Sequence, residues 1–297
     1  MLYTIENDFL SVTVSEDGAA LTSVIRKESE SEALWQADKE GYWRGQAPIL
    51  FPFCGRLQDK TLVHKGKKYP FPQPHGFARS KMHTMVQKGT ESITFVLHAD
   101  DATRALYPFE FDFYTTYTLL GKTIQHTITV FNRGHEDMPF TVGYHPAYNC
   151  PFDDKHTLED YSLIFSEEEP EMMRMGINPQ SGLYTGVDTP CTELINKREI
   201  KLSQEYFTQN NAYKNIRSRT VSLIEKNTGR YIKYNIENFE FLLVWTTENM
   251  PVKFVCVEPW KGIPDLEGGG EFEKKTGMVV LKKDERFQCS LCMQIGN

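Results

Sequence analysis

The chain has 297 residues, 40% of them hydrophobic and 25% charged, which excludes disordered and collagen-like classes and leaves room for a large core. Its formal net charge of -7 comes without a basic run, which argues against nucleic acid as a partner, because phosphate backbones are held by clustered Lys and Arg. No stretch approaches the roughly 18 apolar residues of a membrane span, and the start MLYTIENDFLSVTVSED has neither a basic region nor a continuous apolar segment; the expectation is a cytoplasmic protein without a signal peptide.

From the N-terminus, LSVTV (10–14) is the first segment with period-2 alternation. GQAPILFPFCGRL (45–57) and QPHGFARS (73–80) follow, each setting ionisable residues beside Pro, Gly and aromatic rings. In the second, His75 lies between Pro and Gly, where the chain turns and side chains are aimed at a cleft. SITFVLH (92–98) reads as a strand, and DDATRALYP (100–108) as one or two helical turns capped by Asp and stopped by Pro. FEFDFYTTYTL (109–119) and KTIQHTITVF (122–131) alternate again. His98 and His126 read as ordinary strand residues, and His64, His83, His135 and His156 as exposed.

GYHPAYN (143–149) puts His145 at a strand end, with Tyr144 and Tyr148 available to wall a pocket. A core histidine bonded to a backbone carbonyl is the competing reading. The segment 151–200 is richer in Pro, Gly and acidic residues and reads as loops and short strands, and LSQEYFTQ (202–209) as a short helix. Strands resume at RTVSLIEK (219–226), RYIKYNIEN (230–238), FEFLLVWTT (239–247) and PVKFVCVEP (251–259). In the last of these Glu258 shares parity with Phe254 and Cys256, so alternation places a carboxylate on an apolar face and its pKa is expected to rise; a strand-end Glu turned to solvent or paired with a cation is the alternative. CVEPWKGIPDLEG (256–268) adds Trp260, whose ring suits the apolar face of a pyranose, although a lone Trp is also a common core residue. Arg56 and Arg79 are candidates for forked hydrogen bonds to an oxygen-rich ligand.

Near the C-terminus, FQCSLCMQI (287–295) carries Cys289 and Cys292 as C-x-x-C, but in a strand positions three apart face opposite sides, and no second Cys pair completes a zinc site. The six cysteines (Cys54, Cys150, Cys191, Cys256, Cys289, Cys292) read as reduced core residues. Turn signals such as EDG, KGKK, KGT, LLGK, NRG, KNTG and TENMP separate the strands at short intervals. The fold class is therefore all-β, an antiparallel sandwich or barrel, and with no linker or repeat a single domain over 1–297 is the simpler organisation.

Together, GR at 55–56, HGFAR at 75–79, GYHPAYN at 143–149 and EPWKGIPD at 258–265 resemble the aldose 1-epimerase (galactose mutarotase) family, and its LacX-like branch in particular. The likeness runs over nearly the whole chain in the family's order and at about its spacing. It implies a large antiparallel β-sandwich, no metal, no nucleotide cofactor, and reversible interconversion of the α and β anomers of a hexose. It also implies Glu258 as the base, His145 as the acid, His75 as a second histidine near the ring oxygen, and Arg56 as a sugar-binding arginine. In FTQNNAYKNIRSRTVSL (207–223), Asn211 takes the place of an Asp with which many relatives grip sugar hydroxyls; an amide carries no charge, so sugar preference stays open.

Mutarotation removes a proton from the hydroxyl on C1 and delivers one to the ring oxygen, which calls for two groups in opposite protonation states. His145 is accordingly expected to be partly protonated at pH 7, with neighbouring acidic charge raising it above about 6.5. Two further readings stay open: a mutarotase of a hexose 6-phosphate held by Arg79 and Arg56, and a non-catalytic carbohydrate-binding sandwich. A glycosidase needs two carboxylates, and Asp265 is the only nearby second candidate. Either a monomer or a homodimer is compatible with the sequence.

Overall fold

The computed structural model describes residues 1–38, 40–247 and 251–296; residues 248–250 of the expected TENMP turn lie outside the described residues. The architecture is all-β, built of several antiparallel sheets with a few short helices. A nine-stranded sheet runs, in spatial order, Glu199–Lys201, Tyr161–Phe165, Thr220–Glu225, Tyr231–Asn235, Arg286–Gly296, Thr123–Asn132, Phe111–Leu120, Ser92–His98, Thr84–Lys88. An eight-stranded sheet runs Thr189–Pro190, Met173–Arg174, Ala212–Lys214, Phe241–Trp245, Phe254–Trp260, Gly143–Tyr144, Ile49–Leu50, with Ala147–Asn149 also paired to Phe254–Trp260.

The alternation seen in the sequence has a direct physical counterpart. In Phe111–Leu120 and Thr123–Asn132 every second residue is buried, because one face of the nine-stranded sheet packs on the core and the other meets solvent. The strand Phe254–Trp260 is buried at every position. Val255 and Val257 point into the main core with Leu242, Tyr213, Leu291 and Met293. Phe254, Cys256, Glu258 and Trp260 occupy the opposite face, where the apolar members join Ala147, Ala212 and Phe241 in two smaller clusters.

Parity corrects one expectation drawn from GYHPAYN. Tyr144 and Tyr148 are fully buried core residues and present no open wall to solvent: the Tyr144 hydroxyl donates to the His126 carbonyl of the facing sheet at 2.8 Å and the Tyr148 hydroxyl reaches Met293 Sδ at 3.3 Å. Three histidines expected at the surface are also covered. His64 is buried beside Phe109 with Nδ1 2.9 Å from Glu273; His83 is buried with Nε2 2.9 Å from the Ala78 carbonyl; His156 is half-buried with Nδ1 2.7 Å from Asp153. Strand alternation gives no warning of this, because the covering partners are set by loop conformation: Glu273 is distant in sequence from His64, whereas Ala78 and Asp153 are brought onto His83 and His156 by turns of the adjoining chain. His126 lies in the core, stacked on Tyr117 with centroids 4.0 Å apart, and burial pushes it down to about 3.

Local signals are otherwise read well. Asp100 caps the helix Asp101–Arg104 by accepting from the Thr103 N–H at 2.6 Å, and LSQEYFTQ contains a single 3-10 turn, Glu205–Thr208. Cys289 and Cys292 face opposite sides of Arg286–Gly296, one buried and one half-buried, and all six cysteines are free thiols.

The HGFAR segment is docked onto the loop after Ile49–Leu50 by backbone bonds. The N–H groups of Phe77 and Ala78 both donate to the Phe51 carbonyl at 2.9 and 3.2 Å, and the His75 N–H donates to the Gly55 carbonyl at 2.8 Å. Gly76 has φ +71°, and a Cβ there would lie 1.9 Å from the Phe51 carbonyl oxygen. Gly76→Ala therefore meets both an unfavourable backbone conformation and a main-chain clash. It is expected to lower stability by at least about 2 kcal/mol, read as a drop in the urea midpoint with the slope unchanged.

Candidate active site

Two strand registers bring the chemistry together. Gly143 pairs with Trp260, and Ala147 pairs with Cys256; continuing either register across Pro146 sets His145 opposite Glu258. The His145 Nε2 lies 3.3 Å from Glu258 Oε2. Both are enclosed, Glu258 being 1% and His145 7% exposed, and neither Glu258 Oε2 nor His145 Nδ1 has a hydrogen-bond partner among the described residues.

His75 approaches from the docked HGFAR loop, its ring 5.8 Å from that of His145 and 5.3 Å from that of Trp260. The Gly55 N–H donates to His75 Nδ1 at 3.1 Å, so in the neutral ring the proton sits on Nε2, which is left as a donor. Trp260 does not offer its face as a platform: it is 2% exposed and packed so tightly against Gly143 that a Cβ on that glycine would come 2.7 Å from the indole. Its indole N–H is buried without a hydrogen-bond partner among the described residues, near enough to Glu258 to favour the ionised carboxylate against the larger effect of burial.

Two tryptophans that sequence reasoning missed complete the surroundings. Trp43 stacks on His145 (centroids 4.8 Å, planes at 27°), and Trp245 meets the same ring edge-on at 5.6 Å. Trp245 was accessible to pattern analysis, since it pairs with Cys256 and so shares the face of Glu258. Trp43 stands in an irregular stretch between Gly41 and Gly45, where no periodicity exists to point at it.

The arginines and the amide are placed differently. Arg79 is half-buried and close enough to both histidines for its charge to depress them, and Arg56 is exposed on the His75 side, packed against Gly182. No hydrogen bond or ion pair among the described residues engages either guanidinium. Asn211 is committed elsewhere: its amide donates to the Tyr206 carbonyl at 2.8 Å and accepts from Arg174 at 3.1 Å, in a network with Glu193 and Tyr213. The Asp265 carboxylate is also occupied, by Lys275 and by the Gln58 N–H at 2.8 Å, and this fastens the loop after Trp260 to the segment that carries Arg56.

Electrostatics at the site are governed by desolvation. Burial raises the Glu258 carboxyl well above 4.5 and drives His145 down to about 3, Arg79 adding to the fall. His75 is held well below 6.5 by burial and then by His145, Arg79 and Arg56. The expected partly protonated His145 is thus disfavoured in the ligand-free chain: enclosure outweighs the neighbouring carboxyl, whose own ionisation burial opposes. Burial thus favours a neutral imidazole and a protonated carboxyl, drawing a proton shared by the pair towards Glu258.

A family model described as aldose 1-epimerase matches residues 1–293. The protein LacX, plasmid, of Lactococcus lactis subsp. lactis is 35% identical over 289 residues, 95% of each chain. The solved structure of a galactose mutarotase related enzyme from Lactobacillus acidophilus superposes with a TM-score of 0.91 at 32% identity, covering 100% of this chain and 98% of that one. A galactose mutarotase-like protein from Lactobacillus casei gives 0.91 at 28% identity, over 99% and 100%.

Proposed function

Because this chain belongs to the aldose 1-epimerase family and is an isomerase of the mutarotase type, we propose that it interconverts the anomers of a free hexose, with Glu258 and His145 as its proton-exchanging pair. The observation that carries the reading is the 3.3 Å approach of His145 Nε2 to Glu258 Oε2 on a buried face. One proton shared between two such groups is what ring opening requires.

In the reactive complex the carboxylate takes the proton of the hydroxyl on C1 while the imidazolium gives its own to the ring oxygen. The C1–O5 bond breaks, the aldehyde forms, rotation about C1–C2 exposes its other face, and reversal of both transfers closes the ring. Opening leaves Glu258 protonated and His145 neutral, which is the state that burial favours in the ligand-free chain. Sugar hydroxyls that hydrogen-bond the carboxylate supply the charged form; desolvation then favours its discharge in the opening step. His75 Nε2–H is a neutral donor for the ring oxygen side, and Arg79 and Arg56 are donors for outer hydroxyls.

The test is exchange NMR on a panel of free hexoses and their 6-phosphates. Acceleration of a free hexose above its spontaneous rate supports the proposal. The two unengaged guanidiniums favour hexose 6-phosphate as the second reading, and preference for the phosphates would establish it instead. Sugar binding by calorimetry with no acceleration would make the protein a carbohydrate-binding sandwich. Arg79→Gln is expected to raise KM for a free hexose about 10- to 100-fold with kcat little changed, as for loss of a charge-assisted hydrogen bond present in both ground and transition states; steady-state polarimetry separates the two constants.

A further inference from the structure

Cys256 has no part in the proton transfers above, yet it stands beside the pair that carries them. It is two residues before Glu258 on the same strand face, its neighbours Trp35, Ala147 and Phe254 are apolar, and it is completely buried. One donor atom each from His145, Cys256 and Glu258 lie within 4.8 Å of one another. Tetrahedral zinc with bonds of about 2.0–2.3 Å separates its ligands by roughly 3.5 Å, so a contraction of about 1 Å closes the three around an ion. The set is one nitrogen, one sulfur and one oxygen, which suits zinc or another thiophilic divalent cation and discriminates against magnesium and calcium. Glu258 Oε2, buried and without a hydrogen-bond partner, is an independent sign that this spot accepts a donor or a cation.

We propose that His145, Cys256 and Glu258 form an inhibitory site for a thiophilic divalent cation, with the fourth position left to water or a sugar hydroxyl. The neutral imidazole gives a lone pair through Nε2, the thiol releases its proton and binds as thiolate, and the carboxylate completes the set, so at least one proton leaves for each ion bound. Occupation removes both members of the acid–base pair from the sugar, and inhibition competes with it. Because protons are released, the apparent affinity rises with pH. The inhibitory consequence rests on the catalytic roles given above to Glu258 and His145; the binding itself does not.

The experiment uses the full chain, stripped with chelator and titrated with cobalt(II) as a spectroscopic stand-in and with zinc in the exchange assay. Wild type is expected to develop a thiolate-to-cobalt charge-transfer band that Cys256→Ala and Cys256→Ser lack, while Cys191→Ala and Cys292→Ala retain it. Zinc is expected to slow wild-type exchange reversibly on chelation. Partners one shell out from a metal are already worth about 10- to 100-fold in affinity, so loss of the direct thiolate ligand raises the half-inhibitory zinc concentration by at least about tenfold, with the zinc-free rate unaffected. Absence of the band in wild type, or its persistence in both Cys256 variants, overturns the site. A band that depends on Cys256 together with undiminished exchange in saturating zinc upholds the metal site and overturns the proposed inhibition through the acid–base pair. A wild type inactive on every sugar tried leaves the spectroscopic arm to decide the site alone.

Discussion

Glu258→Gln is expected to lower kcat for anomer exchange by about 10²- to 10⁴-fold, the usual worth of a positioned general base. Glutamine keeps the shape of the side chain but neither accepts nor carries the travelling proton. The same substitution is expected to make the protein more stable at neutral pH. In the unfolded chain the carboxyl ionises above about 4.5, whereas burial holds it protonated to a higher pH in the folded one. The native state therefore binds the extra proton through that interval, and wild-type stability falls as pH rises from 4.5 towards the raised folded value. Glutamine has nothing to titrate, so the variant's advantage grows over the same window. Thermal unfolding of both proteins from pH 4 to 8 measures it; parallel curves would show that the carboxyl is not desolvated. Opposite signs for activity and stability are the mark of a group retained for chemistry, since a merely structural carboxyl loses both on replacement.

His145→Asn is expected to lower kcat by a similar factor of about 10² to 10⁴. The double variant with Glu258→Gln is expected to be little worse than the poorer single one, because the two groups pass one proton between them and act as a unit. The pH profile separates this role from a packing role. An ordinary imidazole gives a step in kcat/KM near 6.5, but with His145 neutral down to about 3 the wild-type profile has no such step. It stays level in mildly acidic buffer, declining only as a second proton enters the pair, and falls on the alkaline side as Glu258 loses the one proton the pair needs. Loss of Trp43 stacking costs about 0.5–1.5 kcal/mol, so the urea midpoint is read alongside. An unchanged exchange rate in a folded His145→Asn protein would remove this residue from the mechanism.

Much of the fold is legible before any coordinates, because strand formation here is a local affair. Phe111, Phe113, Tyr117 and Leu119 alternate with polar or half-exposed neighbours, and a pleated chain turns that alternation into a dry face without reference to the rest of the molecule. The four unusual stretches, and within them Glu258, His145, His75 and Arg79, stood out because charged groups beside Pro and Gly at strand ends are poorly explained by packing. Expectations went astray wherever a side chain's surroundings come from elsewhere in the chain. Tyr144 and Tyr148 belong to the core because of the parity of their strand in the eight-stranded sheet. Trp260 is sealed by Gly143, Asn211 is tied to Arg174 and Tyr206, and Trp43 reaches His145 from a segment without a pattern.

By itself, then, the sequence determined the all-β architecture and which residue types are at hand for acid–base work on a sugar. Only the tertiary structure decided that residues 145 and 258 lie opposite each other, and that burial disfavours charge on the imidazole and on the carboxyl alike. The physical reason is that side-chain direction repeats with the local period of the backbone, whereas pairing register and desolvation are sums over neighbours brought from distant positions.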